Sequence, residues 1–159
     1  MKKSFLLTAV VSLISIALAA LFFTTSNGIF AAHASGDKHI HVIEHAITDT
    51  VVDIGPTGDS RGDILAFANP VFAEDNKTQV GSDNGHCVRT DPGKAWECFW
   101  TVFLAKGQIT VEGPFFDSSD SVLAITGGTG SYRGARGEMK LHARNAQGTE
   151  YDFVYTVVG

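Results

Sequence analysis

GQITVEGPFFDSSDSVLAITGGTGSYRGARG, from Gly107 to Gly137, decides how this chain must be read. It holds two short alternating segments and a glycine-dense turn, at first sight a nucleotide-binding loop. A dinucleotide fingerprint spaces its glycines G-x-G-x-x-G between a strand and a helix, so that the helix N-terminus meets the pyrophosphate. Counting from Gly128 and Gly130, the third glycine should stand at position 133, which is Arg133. A looser spacing from Gly127 fails at the same arginine, and no Gly-Lys-Ser/Thr follows for a phosphate loop. The next segment, MKLHAR from Met139 to Arg144, alternates apolar and polar with period two, which marks a strand. The glycines therefore serve turns and bulges between strands, where positive φ and close backbone approach are needed.

The same alternation extends both ways. Strands are expected at about 38–48, 61–73, 77–90, 95–105, 107–115, 120–126, 137–144 and 149–158. Gly55-Pro56-Thr57-Gly58, Glu74-Asp75-Asn76, Asp91-Pro92-Gly93, Lys106-Gly107, Asp117-Ser118-Ser119 and Asn145-Ala146-Gln147-Gly148 punctuate them. Short, evenly spaced strands without an amphipathic helix argue an all-β sandwich or barrel. In the first strand Ile40, Val42, Glu44 and Ala46 share a face, opposite His39, His41, Ile43, His45 and Ile47. In the second, Leu65, Phe67, Asn69 and Val71 share one. In the fourth, Trp96, Cys98, Trp100, Val102 and Leu104 oppose Glu97, Phe99, Thr101 and Phe103, so both faces are apolar. A wall apolar on both sides implies a filled interior and an outer surface covered by another subunit. Tyr151, Phe153, Tyr155 and Val157 line one side of the last strand.

The chain opens Met1-Lys2-Lys3, runs apolar from Phe5 to Phe23, and offers Ala32-His33-Ala34 as small residues for a signal peptidase. Cleavage after Ala34 is expected, leaving a single domain over 35–159 that is secreted and free of the membrane. An uncleaved anchor is the alternative, since about nineteen apolar residues can span a bilayer. The net charge is −5, and loss of the two leader lysines makes the remainder more acidic still. That acidity argues against nucleic acid and anionic membrane surfaces as partners. Cys87 and Cys98 flank the Asp91–Lys94 turn, which brings them close to opposite each other. An exported chain with two cysteines favours a disulfide; two free thiols lining a cavity are the alternative.

GQITVEGPFF and DSVLAITGGTG resemble segments of allene oxide cyclases, whose pattern runs G-x-I-x-V-x-G-P-aromatic and then L-A-V-T-G-G. GGTGSYRGARG is similar to the G-G-T-G-x-aromatic-R-x-A-R-G signature of plant dirigent proteins. Both belong to one superfamily of eight-stranded antiparallel β-barrels, and the resemblance runs from about His41 to the C-terminus. It implies a barrel rather than a sandwich, and a homo-oligomer, trimer or dimer. Such a barrel is just wide enough to be filled with side chains or to hold one small ligand, so its lumen is the default site. The resemblance implies a catalytic pair. Asn69, in FANPVF, matches an asparagine that orients a water on the epoxide oxygen, and Glu44 a glutamate that delocalises a developing cation. Cys87, in Gly85-His86-Cys87-Val88, matches a cavity cysteine, and Phe115 stands where the cyclases carry tyrosine. Ala46 replaces a second asparagine of the cyclases. With Phe67 and Trp100 on the inner faces, the expected ligand-lining set is Phe67, Cys87, Trp100 and Phe115.

The ligand expected is an apolar small molecule, with no cofactor. His39, His41 and His45 alternate as a His-x-His metal site requires, but they lie opposite Glu44 and lack a placed acidic or cysteine ligand, so no metal is expected. Arg133 and Arg136 are expected to cap carbonyls or pair with acids around the glycine turn. Asn76-Lys77-Thr78 is a glycosylation sequon. Three activities suit these residues: a cyclase or isomerase, a dirigent-like barrel that steers a coupling without catalysing it, and a carrier of hydrophobic ligands.

Overall fold

The computed structural model describes residues 36–158. The apolar leader and the expected cleavage after Ala34 lie outside the described residues. Nine strands follow one another: β1 Lys38–His45, β2 Thr50–Val52, β3 Ile64–Phe72, β4 Gln79–Asp91, β5 Ala95–Leu104, β6 Gly107–Phe116, β7 Ser121–Gly128, β8 Arg136–Ala143 and β9 Glu150–Val158. They form one antiparallel sheet in the order β1-β9-β8-β7-β6-β5-β4-β3-β2. A second pairing of β1, with β3, places Ile43 opposite Phe72 and Glu44 opposite Val71 and closes the sheet. Eight strands make the expected all-β barrel. Closure leaves no long unpaired edge.

The extra strand β2 is a departure from the expected single first strand over 38–48. The chain leaves the sheet after His45 and returns at Thr50, where it pairs with the start of β3 (Val51 opposite Leu65). β1 and β2 thus share one edge of β3, and the four-residue break between them is bridged by side chains. The Thr48 hydroxyl accepts the amide of Ala68 (2.7 Å), standing in for a strand carbonyl. β3 also begins later than expected. Asp63 turns the preceding chain into a loop by accepting the amides of Ile54 and Ser60, each at 2.8 Å.

Two ends of the barrel differ. At one, the glycine loop carries a short 3₁₀ turn, Gly130–Tyr132, that folds onto the β5–β6 turn. Ser131 N donates to Lys106 O (2.9 Å) and Thr129 N to Gln108 O (2.9 Å). Gly107 sits there at φ +138°, and a Cβ would collide with the Thr129 carbonyl. Tyr132 is buried against the same core as Ile109, Ile125, Met139 and Val157, so this end is plugged. Each such burial stabilises the barrel by roughly 2 kcal/mol. Arg133 and Arg136 correct the expectation made for them. Among the described residues neither side chain caps a carbonyl or pairs with an acid, although the backbone amide of Arg133 closes the 3₁₀ turn on Gly130 O (3.3 Å); both side chains lie exposed beside Lys38 in a groove on this end.

The other end is held by Arg89. Its guanidinium pairs with Asp117 (2.7 Å) and Asp59 (2.6 Å) and lies 3.9 Å from the centre of the Trp96 ring. One buried arginine thereby ties the loop before β3 to the β6–β7 turn. In the β4–β5 hairpin Cys87 stands opposite Cys98, their Cα atoms 4.0 Å apart and their sulfurs bonded. Non-reducing mass spectrometry of the purified protein should find this pair joined. Two alkylatable thiols in native material would refute the bridge.

Candidate functional site

A pocket opens at the end away from the plug, with a volume of ≈ 350 Å³ counted out to solvent. Its position follows from where bulk is missing. β4 presents Gly85 inward, and a Cβ there would strike Trp100 Cβ and Phe67 Cζ, so the two aromatic rings lean across the gap. They meet edge to face, with centroids 6.0 Å apart at 69°. Trp100 also packs on Phe153 (5.4 Å), and Phe115 meets Tyr151 edge-on (5.9 Å, 81°). Leu65, Leu141 and the Cys87–Cys98 bridge complete the apolar wall. Bridge and cavity lining, weighed as alternatives for these cysteines, coincide.

The polar atoms of the pocket belong mostly to carboxylates. Glu44 reaches it from β1 and Asp49 from the break before β2. Asn69 stands behind them, 1% exposed and outside the pocket wall. Its Nδ2 donates to Glu44 Oε1 (2.8 Å) and to Asp49 Oδ1 (2.7 Å). Its Oδ1 accepts the amides of Ile47 (3.0 Å) and Thr48 (2.9 Å) and the Thr48 hydroxyl (3.0 Å). Both ends of the amide are committed to protein. The side chain that orients Glu44 also pins the chain break between β1 and β2.

A further carboxyl completes the group. Asp83, fully buried on β4, accepts the backbone amide of Asn69 through Oδ1 (3.2 Å), while its Oδ2 is buried without a partner and its carboxyl lies in the electrostatic reach of Glu44. Burial raises Glu44 well above the ordinary carboxylate range, reinforced by the negative field of Asp83. Burial likewise lifts Asp83 to about 7. Two carboxyls so close cannot both ionise cheaply, so the pair keeps a proton at neutral pH. Tyr151 is pushed up to about 12 by burial and by Glu44 and Asp49, and burial raises Tyr155 as well. Both phenols stay neutral donors.

All four expected ligand-lining residues, Phe67, Cys87, Trp100 and Phe115, therefore share a pocket with Glu44. Asp83, Asp49 and Tyr151 join the site without having been singled out for it. The histidines are employed elsewhere, on the outer wall. His41 pairs with Asp152 (2.8 Å), while His45 stacks on Phe72 (4.1 Å) and donates to Asn76 Oδ1 (2.7 Å). The sequon asparagine also donates to Glu150 Oε2 (3.0 Å), so its side chain is an integral part of the wall.

A family model described as allene oxide cyclase matches residues 44–153. Among solved structures, a pyocyanin demethylase is similar at 25% identity and TM-score 0.63, over 74% of this chain and 100% of that one. A pterocarpan synthase dirigent protein shares 20% identity at TM-score 0.65, covering 80% of this chain and 99% of its own. An exo-specific intermolecular Diels-Alderase shares 14% at TM-score 0.63, covering 79% and 100%. The last two likenesses concern the fold.

Proposed function

Because the chain belongs to the allene oxide cyclase family, we propose that it is an exported barrel which binds an apolar small molecule and closes or rearranges a ring within it. The observation that carries this reading is Glu44, a 5% exposed carboxyl directed into an aromatic pocket and held from behind by Asn69, with Asp83 in electrostatic reach. An apolar pocket accelerates ring closure by holding the substrate near the geometry of attack. The proton kept by the pair supplies an acid for an oxygen on which negative charge develops. The negative charge left on the carboxyl pair stabilises a positive centre forming above it, in surroundings that water does not screen. Asn69 acts in this scheme as a positioning residue, since it touches Glu44 and not the pocket. Phe115 offers a ring face to a cation, and Tyr151, edge-on to it, brings the hydroxyl that Phe115 lacks.

A homo-oligomer suits the outer wall, where Val88 and Phe99 expose apolar area on the neighbouring strands β4 and β5, and Val52 does so on β2 across β3. Covering that surface with further copies would hide it from water.

The test offers the mature protein a panel of apolar substrates that cyclise intramolecularly: short-chain allene oxides without a carboxylate and dienes tethered to a dienophile. Products are separated by chiral chromatography. Turnover above the buffer rate is expected, with Glu44→Gln lowering kcat by about 100-fold or more and leaving ligand Kd within about threefold. Stereochemical bias without acceleration would replace this reading by the dirigent one. Recovery of every bound compound unchanged would replace it by a carrier.

A further inference from the structure

The pocket has a charge character that its apolar lining conceals. Five aromatic rings surround it, from Phe67, Trp100, Phe115, Tyr151 and Phe153. Its acidic lining residues are Glu44 and Asp49, and none of its lining residues is basic. An aromatic face carries negative potential, so rings and carboxylates act with the same sign. Low-dielectric walls strengthen that field, because little water remains to screen it. A neutral ring placed there gains apolar contact alone. A ring bearing delocalised positive charge gains in addition the quadrupoles and the carboxylates. An anion meets repulsion from both.

The volume sets the size. Only about 40 Å³ of it is enclosed free space, the remainder of the ≈ 350 Å³ running out to solvent, so the pocket admits one flat ring edge at its mouth and has no room for an extended chain. The edge-on contacts of Trp100 with Phe67 and of Tyr151 with Phe115 leave ring faces as walls.

We propose that the pocket selects a flat aromatic cation of one or two fused rings, such as an N-alkylated heteroaromatic ring, over neutral or anionic rings of the same shape. This rests on the pocket being the ligand site, and it adds to the neutral substrates of that reading a charged ligand class whose binding, unlike theirs, depends on Glu44. The groups around such a cation are Glu44 on β1, Asp49 after it and Tyr151 on β9, all in the pocket wall, with Asp83 on β4 and Tyr155 on β9 buried outside that wall. The two phenols remain neutral across the working range, so the carboxyls supply any change with pH. A bound cation favours their ionised forms. Its binding should therefore expel a proton and tighten as pH rises from 5 to 8.

The experiment uses three probes of matched shape: N-methylquinolinium, 1-methylnaphthalene and 1-naphthoate, titrated calorimetrically into the mature protein at pH 8. Asp49→Asn and Glu44→Gln are each expected to weaken N-methylquinolinium by about tenfold and to leave 1-methylnaphthalene within about twofold. Titration in buffers of different ionisation enthalpy should show proton release for the cation and none for the neutral ring. 1-Naphthoate should bind weakest of the three. Equal responses of cation and neutral ring to both variants would overturn the inference. Binding of 1-methylnaphthalene without N-methylquinolinium would overturn it too, yet leave the ring-closing role intact. Failure of all three probes to bind would remove both.

Discussion

Asn69→Ala is expected to lower stability by about 3–4 kcal/mol, a fall in Tm on the order of 15 °C. The size follows from how many partners one amide serves. Its loss leaves the amides of Ile47 and Thr48 and the Thr48 hydroxyl without their acceptor, and deprives Glu44 and Asp49 of their donor. A buried polar group left unpaired costs more than a typical hydrogen bond contributes. The β1–β2 break should then loosen, and the mouth with it. Asn69→Asp separates the two halves of the amide. It keeps an acceptor for the backbone but removes the donors and adds a charge beside Glu44, so its deficit should be larger at pH 8 than at pH 5. Thermal melts followed by circular dichroism at both pH values read this directly. A melt of Asn69→Ala within about 2 °C of wild type would show that the break is held by something else.

Asp83→Asn should instead stabilise the protein at pH 8, by an amount on the order of 5 °C in Tm. The folded-state pKa of Asp83 is raised, from 3.8 to about 7, so the native chain binds a proton that the unfolded chain has released. That contribution to stability is fully present below about pH 4 and is lost as pH climbs through about 7. The raised Glu44 acts in the same direction. Wild-type Tm should therefore rise as pH is lowered from 8 towards 5, and Asp83→Asn should flatten the profile. Asparagine keeps an oxygen for the Asn69 amide while removing the charge. At lower pH the trend must reverse, because Asp63, Asp75 and Asp152 are held below the ordinary range by hydrogen bonds and lose them on protonation. A wild-type Tm that climbs from pH 5 to 8 would contradict the retained proton.

The parts of this architecture visible in the sequence are those that alternation exposes. Glu44 and Asn69 stood out because each interrupts a run of apolar residues on its own strand face, Ile40-Val42 and Leu65-Phe67. Asp83 did not. Around it β4 reads Gly81-Ser82-Asp83-Asn84-Gly85-His86, polar on both faces, so no contrast marks the residue that turns inward. The break at residues 46–49 was equally hidden, since Ala46-Ile47-Thr48-Asp49 holds neither glycine nor proline. A tertiary partner 20 residues or more away, Asn69, makes it. The glycine turn was legible as a turn, but its service as a plug depends on Tyr132, whose inward direction is a matter of barrel packing. Which end of the barrel opens follows from that plug.

The bridge between Cys87 and Cys98 has a consequence for what the pocket can survive. These are the chain's two cysteines, and both line the pocket. As thiols they would be the strongest nucleophiles in the cavity, ready to attack any electron-poor ring or epoxide. Joined to each other they are disarmed, and no lysine among the lining residues takes their place. A protein that hosts reactive electrophiles must release them without becoming their adduct. Closing the bridge would thus immunise the cavity: a chain without free thiols there could meet an electrophile repeatedly and leave it free.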